Sequence, residues 1–327
     1  MAQDDPTGPQ LEDPPSRPTQ LTKRSWIDLL KRTVKEFNDD NLTDWAAALT
    51  YYGVLSIFPG ILVLLAVSGM FLTNTTQDAV IDGAQELFPP SIAGPVTSAI
   101  DELKEGSSSA GVLAIVGLLA AVWTASGYVG AFIRAANSIY DVPEGRPIWK
   151  LLPIRLGVTV VVGILISLAA MSIVFTGKFA EKVGGWIGLS KQSVQIWDIV
   201  KWPVLLLVVL LILAVLYYAS PNARQTGFRW VTPGGGLAVF IWLLASAGFA
   251  IYVSNFSSYN KTYGTLGGII AFLVWLWISN IAILLGAEFD AELERGRAIQ
   301  GGMPAETEPF IPLRDSRKIK EGHDPDL

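Results

Sequence analysis

The 327-residue sequence has no cysteine and a single histidine, His323, in a polar stretch near its end. Without thiols there is no disulfide framework, no iron–sulfur ligation, no thiolate zinc site and no thiol nucleophile. One histidine cannot build a multi-histidine metal site, and a Ser–His–Asp triad would have to recruit it from a polar tail. Charge is scarce too: Asp, Glu, Lys and Arg make up 16% of the chain, against about 25% in an ordinary soluble domain. The net charge of −5 argues against nucleic-acid binding, which calls for a basic excess. Apolar residues fill the space, at 51% of the chain with a mean hydropathy of +0.42. Lipid is the solvent that suits such a composition.

Residues 1–21 are rich in Pro, Asp and Gln and read as a disordered tail. They lack the basic start and short apolar stretch of a signal peptide. From residue 22 the character changes. Trp26, Leu29, Leu30, Val34 and Phe37 recur at helical spacing, with Lys23, Arg24, Lys31, Arg32 and Lys35 mostly on other faces. Residues 22–44 thus read as a basic amphipathic helix suited to an anionic leaflet, or else to the protein's own loops.

Six apolar runs of spanning length follow, at about 45–72, 110–133, 153–176, 199–219, 231–255 and 264–287. The expected fold is all-α: a polytopic membrane domain of six transmembrane helices over 45–290. The long connection, 73–109, carries apolar residues at helical spacing on either side of Pro89-Pro90, which predicts amphipathic helices on the outer face. Residues 291–327 are polar and read as a largely disordered tail after about Gly301. With six spans, 18 Lys and Arg fall on the side of the two termini and 6 on the other. Positive residues mark the cytoplasm, so both termini are expected inside and 73–109 outside.

Deep positions in the six runs hold no ionisable residue, which disfavours a carboxylate relay of the kind cation-coupled transporters use. Asp44, Arg134, Glu288 and Asp290 sit at run ends on one side. They are expected either to form an ion-pair network or to serve an anionic headgroup. Arg134, Arg155, Arg224 and Arg229 are the candidate cations for that headgroup, since the guanidinium fork suits phosphate. Pro59 interrupts the first run and predicts a kink. Tyr51, Tyr52 and Ser56 precede it and offer hydroxyls to a cavity or to neighbouring helices. Asn280, Leu284 and Glu288 share a helix face that should look into the bundle, and Gly264 and Gly268 have the spacing of a close helix crossing. No pattern for a cofactor or metal is read.

Several blocks resemble the YihY/BrkB family of bacterial inner-membrane proteins. The first is Asp44-Trp45-Ala46-Ala47-Ala48-Leu49-Thr50-Tyr51-Tyr52, running on to Leu55-Ser56-Ile57-Phe58-Pro59. The second is Trp123-Thr124-Ala125-Ser126-Gly127, leading to Ala135-Ala136-Asn137-Ser138-Ile139-Tyr140. The third takes in Pro221-Asn222, Pro233-Gly234, Tyr263-Gly264-Thr265-Leu266-Gly267, Trp275-Leu276-Trp277 and Gly286-Ala287-Glu288. The resemblance covers about residues 25–295. It implies a multi-pass protein of the bacterial inner membrane, linked to envelope integrity and virulence, with transport of lipid or solute suspected for some members. The family has long carried a ribonuclease label. Metal-dependent RNA hydrolysis needs clustered His and carboxylate ligands, and the sequence offers no such cluster.

Two functions therefore stand open: translocation of a lipid or other amphiphile, and a membrane scaffold without transport. A membrane-embedded hydrolase is disfavoured. Membrane lipids, anionic ones among them, are the expected partners; nucleic acid is not. A homo-oligomer or a membrane-protein partner is left open.

Overall fold

The computed structural model describes residues 14–16, 18–71, 108–174, 190–254 and 265–321. Backbone alone is described for 58–71, 108–117, 171, 174, 191, 228–232, 265, 266, 320 and 321. Among these residues the chain is helical, with no strand and one isolated bridge between Ala223 and Leu313. The helices are α1 (Lys23–Asp39), α2 (Leu42–Phe71), α3 (Ser108–Ile139) and α4 (Ile148–Val174). They continue with α5 (Lys191–Ala219), α6 (Phe228–Ser254), α7 (Thr265–Gln300) and the short α8 (Arg317–Glu321).

Five of these helices, α3 to α7, contain stretches long and apolar enough to cross a membrane. Their outer faces expose Leu119, Ile164, Leu168, Leu207, Leu244 and Ile251. Such surface is costly in water and neutral in lipid. α2 to α7 pack in a closed ring, each against the next and α7 back against α2. α3 also reaches across to α5 and α7.

One end of the ring is capped. α1 starts behind Thr22, whose hydroxyl accepts the Ser25 N–H, a standard N-cap. It turns into α2 at Asn41, in the left-handed region at φ 52°, where Asn is among the better-tolerated residues. Leu29 and Thr33 are buried, and Leu29 packs with Phe289 and Leu293 of α7. Ile27, Leu30 and Val34 lie on a different face and are exposed.

Two expectations need correction. The polar stretch after Gly301 is packed as far as α8: Met303, Phe310 and Ile311 are buried in the main core. α7 likewise runs to Gln300, thirteen residues past the expected end of its apolar run. It stays buried there because α1 and the 301–311 segment cover its polar faces. At the other terminus, residues 18–20 form a 3-10 turn and Leu21 is buried. Residues 1–13, the 73–107 part of the expected outer segment and His323 lie outside the described residues.

Candidate functional site

Trp123, Gly127, Gly130 and Arg134 recur at four- and three-residue steps, so they share one face of α3. α2 packs against α3 on one side and α4 on the other. Tyr52 of α2 lies over Gly127, where an added Cβ would come within 2.9 Å of the ring. Arg155 of α4 lies over Gly130, where an added Cβ would come within 3.1 Å of Nε. Its Nε donates to the Ser126 carbonyl at 2.6 Å, and its guanidinium carbon sits 5.8 Å from the Trp123 ring centre. That places a cation over an aromatic face. Tyr51 meets Tyr52 edge-on at 5.3 Å and is itself exposed. The two glycines thus let an arginine and a tyrosine lie flat on the same helix from opposite sides.

One turn further along, the stripe reaches Arg134. This residue is exposed and lines an open pocket of about 400 Å³ with Asn137, Ser138, Asp141, Val142, Pro143 and Glu144. The structure therefore brings Tyr51, Tyr52, Arg155 and Arg134 together along α3. Ser56 instead turns its hydroxyl back to the Tyr52 carbonyl at 2.7 Å, a bond internal to its helix. The backbone of Pro59 is in α2, and its side chain lies outside the described residues. So does the side chain of Arg229, while Arg224 is exposed.

Among the described residues, Asp44, Arg134, Glu288 and Asp290 form no ion pair with one another. Asp44 is exposed, and Glu288 and Asp290 are fully buried. Asp290 Oδ1 accepts the Gly234 N–H at 2.7 Å, capping the apolar part of α6 from the neighbouring helix. The pairing that does exist runs through Arg295, which reaches Glu292 at 3.4 Å and Glu308 at 2.9 Å. Arg32 of α1 joins Glu292 from the other side.

The model of the family described as Virulence factor BrkB matches residues 33–309. This is a membrane protein of the BrkB family. The ribonuclease-like protein YfkH of Bacillus subtilis is 32% identical over 79% of the chain and 92% of its own length. A UPF0761 membrane protein of Chromohalobacter salexigens is 29% identical over 86% of the chain. Another, of Nitrosospira multiformis, is 27% identical over 86%. The chain spans 68% and 65% of those two longer relatives. No solved structure matches the chain.

The BrkB match runs into the start of the capping segment, to residue 309, beyond the stretch whose resemblance is legible from short blocks. It also includes a set of polar residues that sequence reasoning missed. Asn222 donates from its backbone to Asn137 Oδ1 at 2.7 Å and from its side chain to the Pro143 and Asp315 carbonyls. Asn137 donates in turn to Glu144 at 2.9 Å. Glu144 accepts a two-pronged pair from Arg146, and Arg146 also donates to the Ser220 carbonyl. Asn137, Ser220 and Asn222 are buried, so the BrkB blocks around Asn137 and Pro221-Asn222 hold the turns of the cap together. The available signal was the pair of asparagines themselves, each beside an apolar run and each needing partners once buried.

Proposed function

We propose that the protein translocates a lipid or another amphiphile across the bacterial inner membrane, with Arg155 and Arg134 holding its anionic headgroup in turn. The observation that carries this reading is Arg155 laid over Gly130 on the stripe that ends at Arg134. A headgroup moving along the stripe meets two guanidinium groups, while its tails remain in lipid and need no charged path. Arginine binds phosphate or carboxylate oxygens in pairs, and Trp123 and Tyr51 offer amphipathic rings at the groove edge.

α2, thirty residues of apolar sequence, is taken as a sixth span, with both termini in the cytoplasm. Support comes from the cap, where α1, the turns after α3 and α5 and the C-terminal segment all meet, and from the positive residues that concentrate there. α1 then lies along the inner leaflet, with exposed Ile27, Leu30 and Val34 in the lipid interface and Arg24, Lys31 and Lys35 toward anionic headgroups.

The test is transbilayer movement of a fluorescent anionic phospholipid in proteoliposomes. Wild-type protein should accelerate it, and Arg155→Ala and Arg134→Ala should each slow it several-fold while remaining folded. A wild-type rate equal to that of empty vesicles would overturn the reading. So would an unchanged rate in the folded double variant.

A further inference from the structure

Where α1 ends, carboxylates from four parts of the chain converge with too few cations. Glu36 and Asp40 come from α1 and its C-cap, and Asp141 from the turn after α3. Glu288 and Glu292 come from α7, and Glu308 from the capping segment. Two guanidinium groups face them. Arg295 reaches Glu292 at 3.4 Å, Glu36 at 3.8 Å, Asp141 at 3.9 Å and Glu308 at 2.9 Å. Arg32 pairs with Glu292. Arg134 shares only the pocket rim with Asp141; Asp39 adds one more negative charge near Asp40, and Lys35 pairs with Asp39 at 2.9 Å and with Glu36 at 3.3 Å.

Neither Asp40 nor Glu288 has an ion pair among the described residues. The two carboxyls lie within hydrogen-bond reach of each other across the α1–α7 contact. Glu288 is 1% exposed, and its Oε2 is buried without any N–H or O–H donor. Asp40 receives one long bond, from the Ser138 hydroxyl at 3.3 Å. Two carboxylates this close and this dry repel each other, and a hydrogen bond between them requires a proton on one. Among the described residues no three acidic or imidazole groups are placed to hold a metal ion, so a proton is the cation that fits.

We propose that Asp40 and Glu288 form a proton-binding site, sharing one proton between their carboxyls, and that its occupancy fastens α1 to α7. The proton comes from water on the capped side and returns to it. When it leaves, two like charges face each other in a buried crevice, and the cheapest relief is for the end of α1 to lift and admit water. Burial first, and then Glu36 and Asp39, push the Asp40 carboxyl up to about 6 against the pull of its bonds from Glu288 and Ser138, so above about pH 6 the pair keeps a single, shared proton and loses it only on the alkaline side. The site adjoins the Arg134 pocket through Ser138 and Asp141.

The chain has no cysteine, so two introduced thiols label cleanly. With nitroxides at Lys31→Cys and Lys318→Cys in the full chain in liposomes, the α1-to-cap distance is measured from about pH 5 to about pH 9, spanning the titration. The wild-type background should hold a short distance from the acid end through neutrality and lengthen toward the alkaline end. Glu288→Gln keeps the shape, is permanently neutral and donates to Asp40, so it should hold the short distance throughout. Infrared spectra near about pH 8 should show a protonated-carboxyl band that Glu288→Gln diminishes. A distance that ignores pH in the wild type, the same transition in Glu288→Gln, or a carboxyl band unchanged by that substitution would each overturn the proposal.

Discussion

Gly130 is where one methyl group would be felt first. The atoms it would meet, Arg155 Nε, Cζ and Nη1 at 3.1–3.3 Å, are the far end of a flexible side chain and can move aside. Gly130→Ala should therefore leave the melting temperature little changed, within about 1 kcal/mol of stability. It should still push Arg155 off the Ser126 carbonyl and slow lipid movement several-fold, and comparing melting with the vesicle assay checks both halves. Asp141 gives a second prediction. Burial, with Glu308 and Asp40 nearby, raises its carboxyl from 3.8 to about 7. A raised value means that the folded form favours the proton. The stability it confers is thus complete below the unfolded value and is lost as pH climbs toward about 7. Asp141→Asn should flatten that part of a melting-temperature profile between about pH 4 and about pH 8. Asn is well suited to the residue's φ of 50°, so the backbone has no reason to move.

Among the elements, the tightest crossing joins α6 and α7, and it is built on Gly234 and Gly286. A Cβ on Gly286 would stand 2.5 Å from the Gly234 carbonyl oxygen and 2.7 Å from Ala238 Cβ. These are backbone and short side-chain atoms with little freedom. Gly286→Ala should cost about 1–3 kcal/mol and show as a clear loss of thermal stability in detergent. Gly268→Ala serves as the control, because nothing lies within 4 Å of that position. The sequence pointed to Gly264 and Gly268 as the close pair; Gly268 is open, and Gly286 was noted only as part of a family block. Spacing identifies a helix that can approach closely, whereas the partner decides which glycine does. Trp275 and Trp277 show the same limit. Trp275 donates to Ser246 of α6 and Trp277 to the Thr43 carbonyl of α2, so α7 is pinned to both neighbours in the ring. The five stretches long and apolar enough to span were legible because a single apolar run of that length satisfies its backbone within itself as a helix. Asn280 was legible for a related reason. As expected from its face, it looks inward, receiving Tyr128 at 2.9 Å and donating to Thr50 at 3.0 Å.

For the whole molecule the cap reverses the usual reading of polarity. Glu288, Glu292, Glu294 and Arg295 are all under 5% exposed, yet in sequence they look like a solvated helix end followed by a loose tail. They are buried because the 301–321 segment returns across the ring and bonds to the turns it covers. Arg314 donates from its backbone to the Asn222 carbonyl at 2.8 Å, and Arg224 from its own to Pro312. Lys150 of α4 holds Asp315 at 2.7 Å, and Arg317 with Lys150 keeps that carboxyl well below its usual range. Composition cannot reveal such a layer, since many of its polar groups pair with one another rather than with water. The passage is narrow at Gly145, where an added Cβ would collide with the Asp315 carbonyl oxygen, a backbone atom that cannot swing away. Gly145→Ala should therefore lift the segment and uncover Met303, Phe310 and Ile311, each worth about 1.5–3 kcal/mol when buried. Removal of residues 301–327 should instead bare the surface that Met303, Phe310 and Ile311 cover, and take Glu308 from Arg295 as well. Limited proteolysis of membranes checks this: the wild-type C-terminal segment should resist cleavage, and Gly145→Ala should expose it while the spanning helices stay intact. Equal resistance in both would mean that the segment is held mainly by Phe310 and Ile311, and that the Asn222–Asp315 contacts add little.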